Sequence, residues 1–438
     1  MKLFFVSITL LLLLASCGKD SNDNPEPTTA QRTVVVFMSA DNSLSEYGFP
    51  GSDFQELVNG SYNTLTANDR LVVFMDRISS TERPFIARIT GNRDHPVDTL
   101  YKYGEDPYVS DTDVFTEILS RCATLCPAKE YGLVLWGHAS GWSFDKNTRR
   151  SYGIDNGNRL DYSDAGVWLS IPDMRVCFER LGIKWKFVFA DCCNMMCAEV
   201  AYELRNQAEY LIGSPAEIPG MGAPYHKLLP WFFSQSDNFY EGIVDEYAKY
   251  YPNNRDDIFP YYVPLTVVRL DQMESLATAT RAVLPAVAEH LRQGDDVATS
   301  DIIYYYSPGG QNDKYNKVMY DMNDMLRTAL TNQPEAYTEW HQALSKAVVK
   351  AVKASRWQTS FNNGKGTVDF DDFTVTDDKQ GGISMFFPLD KYYSSSCKYT
   401  FNTDIRNMQW YQAVGWSSVG YYAKKRAFAP RGGKTLFR

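Results

Sequence analysis

The chain has 438 residues, 44% of them hydrophobic, 22% charged and 14% aromatic, and its 53 acidic against 44 basic side chains give a formal net charge of −9. That length supports one large α/β core with elaborations, or two ordinary cores, and excludes a small stapled scaffold. The acidic balance offers no broad positive field and so argues against nucleic acid as a partner, and past the N-terminus no apolar run approaches the roughly 18 residues a membrane span needs.

Met1-Lys2 and the apolar stretch Leu3 to Ala15 read as a signal peptide, too short for a span. It ends in Leu14-Ala15-Ser16-Cys17, which resembles a bacterial lipobox, so residues 1–16 are expected to be removed and Cys17 to carry lipid. The polar run from Gly18 to Pro27 suits a tether, assigned to residues 17–32, and the implied location is the cell envelope, on the outer membrane or cell surface. With Cys17 set aside, seven of the eight cysteines remain, an odd number that leaves at least one thiol free. The Cys122/Cys126 and Cys193/Cys197 spacings would permit zinc, but no His follows either pair at ligand spacing, and no metal site is assigned.

Thr33 to Met38 is apolar without alternation, the pattern of a strand buried on both faces. A helix is expected from Asp53, strands at Leu71–Met75 and Phe85–Ile89, and a helix at Asp113–Cys122 with an acidic first turn. Strands at Gly132–Trp136 and Phe187–Ala190, a helix from Met195 to Asn206 and a strand at Tyr210–Gly213 complete the alternation of a doubly wound, mostly parallel sheet flanked by helices. Leu265–Leu270 adds a strand. Helical windows then cover Asp271–Leu291, with Pro285 as a kink or break, and Glu335–Ala354, and Gly382–Phe387 is a late strand. The core is placed at residues 33–270 and a largely helical C-terminal portion, packed on it and contributing a strand, at 271–438.

Two strand ends carry reactive side chains: Leu133-Val134-Leu135-Trp136-Gly137-His138-Ala139 and Phe187-Val188-Phe189-Ala190-Asp191-Cys192-Cys193-Asn194-Met195. Neighbouring parallel strands end at one edge, where ligands bind, so His138 and a cysteine can meet there. Histidine then cysteine, about fifty residues apart, is the caspase-like order; the alternative is a packed His and buried thiols that never meet. A peptidase needs more than the few per cent of thiolate an ordinary cysteine offers at neutral pH. Cys193 at the start of the Met195 helix would gain that from free N–H groups, which could also hold an oxyanion. His138 would act as general acid and base, and the Ala139 N–H would be a second oxyanion donor.

These segments resemble the clostripain family of cysteine peptidases, relatives of caspases, legumains and gingipains. The resemblance runs from Val34-Val35-Val36-Phe37-Met38-Ser39-Ala40-Asp41-Asn42-Ser43-Leu44 through the His138 and Cys193 blocks and Glu199-Val200-Ala201-Tyr202 to Gly382-Ile383-Ser384-Met385-Phe386-Phe387-Pro388. It implies a caspase-like fold and a His138/Cys193 dyad. It also implies cleavage after Arg or Lys, with Asp191 near the basic side chain. The family pattern has His-Gly and Asp-Ala-Cys-Leu-Met where this chain has His138-Ala139 and Asp191-Cys192-Cys193-Asn194-Met195, which bears on the oxyanion site and on the choice between Cys192 and Cys193; spacing to Asp191 and Met195 favours Cys193.

Asp191 suits a bidentate guanidinium partner, or it caps the next helix. Glu217 is either a second acid of the pocket or a solvated charge. By resemblance, activation involves a cut after the His, where Lys146, Arg149 and Arg150 are candidates for self-cleavage in a loop that otherwise reads as plain polar surface. The chemistry requires no cofactor; some relatives use calcium, for which no loop is evident. His95, His226, His290 and His341 fit packing or surface roles. Two functions follow: a lipid-anchored cysteine endopeptidase acting on proteins or peptides, or an inactive peptide- or glycan-binding lipoprotein on the same fold.

Overall fold

The computed structural model describes residues 29–142, 151–157, 162, 166–253, 262–307, 317–362, 367–393 and 401–419. Cys17, the leader and the Lys146, Arg149 and Arg150 cluster lie outside them. The strands of the first half are β1 (Ala30–Ala40), β2 (Asp69–Arg77), β3 (Phe85–Ile89), β4 (Val97–Lys102), β5 (Ala128–Trp136), β6 (Tyr152–Asp155), β7 (Val167–Leu169), β8 (Trp185–Asp191) and β9 (Ala208–Gly213). β10 (Leu265–Arg269), β11 (Tyr304–Tyr306), β12 (Val318–Asp321), β13 (Val348–Val352), β14 (Arg356–Asn362), β15 (Thr367–Asp372) and β16 (Ser384–Met385) follow. A nine-stranded sheet has the order β13-β10-β9-β8-β5-β1-β2-β3-β4. Its centre, from β9 to β2, is parallel, and its outer strands are antiparallel.

The helices that cover the sheet begin with α1 (Phe49–Ser61), α2 (Thr112–Leu125), α3 (Ile171–Leu181), α4 (Ala198–Glu203), α5 (Tyr225–Phe232), α6 (Phe239–Asn253) and α7 (Met273–Leu291). The unbroken apolar run of β1 now has its reason. Val35 and Phe37 pack among α2, α3, α4 and α7, while Val34, Val36 and Met38 pack among α1, α5 and α6. Local chemistry sets several boundaries: the Asp111 carboxylate caps α2, and α3 starts on a Ser170 cap and stops at Gly182 in the left-handed region.

Four expectations change. α4 is shorter than the Met195–Asn206 window and begins at Ala198. The Glu335–Ala354 window divides, because a helix over Pro334–Ala347 gives way to β13, where Val348, Val349 and Val352 suit a strand better. β13 then adds to the sheet edge beside β10. Pro285 neither ends nor divides α7. The Gly382–Phe387 run pairs only over Ser384–Met385, as β16 of a small sheet ordered β11-β12-β16.

Candidate active site

β5 and β8 are adjacent and parallel, with Trp136 opposite Asp191. His138 and Cys193 each stand two residues past that pair, so both leave the sheet at the same edge. They line one cleft of about 330 Å³ together with Ala139, Asp191 and Glu217. Gly137 makes the turn on the histidine side: its φ is +145°, and a side-chain carbon there would lie 2.8 Å from the Ser39 carbonyl oxygen.

His138 presents Nε2 to the Ser43 hydroxyl at 2.9 Å, and its ring tilts against Trp168 with centroids 6.4 Å apart. Ser43 follows Asn42, whose side chain donates to the Ser39 and Ile154 carbonyls and accepts from the Leu44 N–H. The His138 carbonyl takes the Gly153 N–H at 2.9 Å, and Ser140 N–H reaches the Ser151 carbonyl at 3.0 Å. These two bonds flank the Ala139–Tyr152 bridge, which therefore does not consume the Ala139 amide.

Cys193 is not at a helix start. Cys197 occupies the position before α4, and Cys193 sits in the preceding turn, where Asn194 has φ +60° and donates its N–H to the Ala216 carbonyl. The sulfur accepts the Ile218 N–H at 3.4 Å. Burial, then the negative charge of Glu217, pushes the thiol far above its ordinary range. Both effects favour the neutral thiol, in place of the helix-stabilised thiolate expected from the sequence. Cys192 is fully buried in the core on the opposite side of the chain, whereas Cys193 is half-buried and lines the cleft.

Asp191 does not cap α4. Its Oδ2 accepts the Ala223 N–H at 3.0 Å and the Tyr225 hydroxyl at 2.7 Å, and its Oδ1 faces the Tyr247 hydroxyl at 3.4 Å. Burial raises its pKa to about 6 against those donors, which favour the charged form. Glu217 lines the cleft and accepts from the Gln358 side chain of β14 at 2.7 Å, so the C-terminal portion contributes to the wall. His95, His226, His290 and His341 do not line this cleft. Sequence reasoning did not single out Ser43, Asp53, Ile218, Tyr225 or Gln358, because each acts through partners distant in the chain.

Thiol-based peptide hydrolysis needs no cofactor. Among the described residues no group of three or more His, Cys, Asp or Glu side chains is arranged to hold a metal ion. Asp76 lies near Asp41, Asp106 and Asp155. Burial, then the neighbouring Asp155, Asp106 and Asp41 charges, holds it well above the usual carboxylate range.

A thiol and an imidazole at one edge of a caspase-like sheet define a cysteine hydrolase. The clostripain family model matches residues 36–422, and the chain belongs to that family of cysteine peptidases, whose substrates are proteins or peptides. It is similar to a secreted C11 cysteine protease from Bacteroides thetaiotaomicron, solved with an irreversible peptide inhibitor, at 26% identity and TM-score 0.72, covering 89% of this chain and 100% of that one. An inactive zymogen C11 protease from Parabacteroides distasonis shares the fold at 23% identity and TM-score 0.67, over 89% of this chain and 99% of the other. Another secreted B. thetaiotaomicron C11 protease, iotapain, does so at 18% identity and TM-score 0.69, over 88% and 100%. No curated protein matches the sequence.

Proposed function

We propose that the protein is an endopeptidase in which Cys193 is the nucleophile, His138 the general acid and base, and Asp191 the acid that receives a basic P1 side chain. The observation that carries this reading is the matched register of β5 and β8, which sets His138, Cys193 and Asp191 around one cleft. Because the resting thiol is neutral, its proton passes to His138 as Sγ attacks the scissile carbonyl carbon. The amides of Cys193 and Ala139 stabilise the tetrahedral oxyanion. His138 returns the proton to the departing amine, leaving a thioester, and then draws a proton from the water that releases the acid product. The irreversible peptide inhibitor bound by the B. thetaiotaomicron protease supports peptide as the ligand class.

For Asp191, support comes from its supply of neutral donors only, an arrangement that favours a charged carboxylate awaiting a cationic partner. Glu217 stands close enough to raise the thiol, and we assign it to the substrate-facing wall. We further propose lipid attachment at Cys17, placing the enzyme on the cell envelope, and activation by self-cleavage after Lys146, Arg149 or Arg150. The zymogen described for the P. distasonis protease is consistent with the activation step.

The test is a panel of fluorogenic peptides with Arg, Lys, Asp, Asn or Leu at P1, assayed with wild type, Cys192→Ala, Cys193→Ala and His138→Ala. Cleavage after Arg or Lys that survives only the Cys192 change is expected. Cleavage after Leu or the acidic residue alone would overturn the specificity assignment while leaving the dyad standing.

A further inference from the structure

A second carboxylate lies behind the cleft wall, next to Gly222 and Trp136, which line it, and on an element with no role in the proposed mechanism. Asp53, one turn into α1, is 2% exposed, and its Oδ2 accepts the Trp136 indole N–H at 2.6 Å. Asp191, 3% exposed, approaches from β8. They converge on Gly222, which lines the cleft with φ +65°: a side-chain carbon there would lie 2.9 Å from Asp191 Oδ2, 2.9 Å from Asp53 Oδ2 and 3.3 Å from Trp136 Nε1. The Tyr251 hydroxyl donates to the Gly222 carbonyl and helps fix the backbone. Glycine is thus required where both carboxylate oxygens close in on the backbone, and it lets the two acids converge at the cleft wall.

Among the described residues no Lys or Arg is ion-paired with either carboxylate. Tyr225 and Tyr247 donate neutral hydroxyls to Asp191, while the nearby His226 is engaged by Glu56 at 3.0 Å. Tyr250 and Tyr251 of α6 and Glu56 of α1 complete the titratable groups that act on the pair. Among the described residues neither carboxylate is in an ion pair. Buried carboxylates are stable only when paired with a cation or neutralised by a proton. Burial, then the Asp191 charge, raises Asp53 to about 9, against about 6 for Asp191, so at neutral pH the pair carries one charge and one proton.

We infer that Asp53 is the second acid of the P1 pocket: it holds a proton in the substrate-free enzyme and releases that proton to solvent when a Lys ammonium or Arg guanidinium enters beside Asp191. The O–H bond of Asp53 breaks, the proton leaves to buffer, and the P1 nitrogen takes its place as the group that both carboxylates contact. This rests on the basic-P1 assignment of Asp191. Asp53 is here a specificity-determining residue and takes no part in bond cleavage.

The test is calorimetric titration of full-length Cys193→Ala protein with an Arg-P1 peptide, in buffers of differing ionisation enthalpy at neutral pH. About one proton released per peptide bound is expected. Adding Asp53→Asn should abolish the release and weaken binding roughly tenfold, and a citrulline-P1 peptide should release none. In the otherwise wild-type enzyme, the same change should fall mainly on KM. Proton release unchanged by Asp53→Asn would overturn the proposal. If that variant melts early, Trp136→Phe is the second probe. Losing the indole donor raises Asp53 further, so proton release should persist to higher pH, and an unmoved profile would overturn the inference. Equal affinity for Leu-P1 and Arg-P1 peptides would overturn both this proposal and the basic-P1 reading; selective Arg binding without proton release would overturn this one alone.

Discussion

The two strand ends that form the cleft leave the sheet at matching positions but are fixed by different means. The Cys193 turn is held by the segment after β9 and by β16: Asn194 N–H bonds to the Ala216 carbonyl, Met196 N–H to the Ser214 carbonyl, and the Met196 carbonyl accepts from Ser384. The His138 turn is held by chain that comes soon after it, through Ser151 and Gly153 of the β6–β7 hairpin, and by Ser43. The Cys193 turn is thus tied to the C-terminal portion through β16, and the His138 turn to the β6–β7 hairpin. The cut proposed after Lys146, Arg149 or Arg150 would fall, in the sequence, just before that hairpin.

The largest effects should come from the two side chains themselves. Cys193→Ala and His138→Ala are each expected to lower kcat/KM by about 10⁴-fold or more, measured on the best Arg or Lys peptide, and Cys192→Ala by less than about threefold. Strong loss in Cys192→Ala with activity retained in Cys193→Ala would break the comparison at its base. Next is the loop: replacing Lys146, Arg149 and Arg150 together by Gln should block conversion to two chains and hold activity at least roughly tenfold below the processed enzyme. A fully active single chain would show that the histidine side needs no release.

Smaller effects sharpen the contrast. Ser43→Ala removes the hydroxyl beside His138 Nε2 and should lower kcat by about threefold to tenfold, equivalent to roughly 1 kcal/mol, with little change in Cys193 alkylation. Glu217→Gln removes a charge that raises the thiol, so iodoacetamide should label Cys193 a few-fold faster just above neutral pH, by mass spectrometry. Stability should also slope with pH. Asp53, Asp155 and Glu199 are raised by burial to about 9, 7 and 7, so the folded chain keeps protons that the unfolded chain releases near its ordinary carboxylate pKa values. Their stabilisation is complete below that range and is lost as pH rises through each raised value, at up to about 1.4 kcal/mol per pH unit for each group. The melting temperature should fall between weakly acidic and alkaline pH, less steeply in Asp53→Asn.

Much of this was legible in the sequence, and the parts that were not share a cause. Phe85–Ile89 could be read to the residue, and the apolar runs at Thr33–Met38 and Phe187–Ala190 fell inside observed strands, because continuous burial writes itself as continuous hydrophobicity. The same pattern placed His138 and Cys193 past neighbouring strand ends. The environment of the sulfur could not be read. The Met195 window looked helical by composition, yet the chain runs through a turn fixed by Ala216 and Ser214 before α4 begins. Asp53 looked like an ordinary residue near a helix start; only the packing of α1 against Trp136 and Gly222 makes it a buried acid. β13 was absorbed into a helical window because its burial is partial and its pairing partner lies about eighty residues earlier.

The cysteine inventory has one more consequence. Cys122, Cys126, Cys177, Cys192, Cys193 and Cys197 are all unpaired, and five of the six are buried. Cohesion among the described residues thus comes from packing and hydrogen bonds, without a covalent cross-link. A reducing buffer, needed to protect the half-buried Cys193 sulfur from oxidation, breaks no cross-link among these six, and an electrophile of modest size meets one cleft-lining target among them. With Cys17 and Cys397 replaced, a single mass increment on the folded chain would count the Cys193 thiol, and this needs no knowledge of the natural substrate.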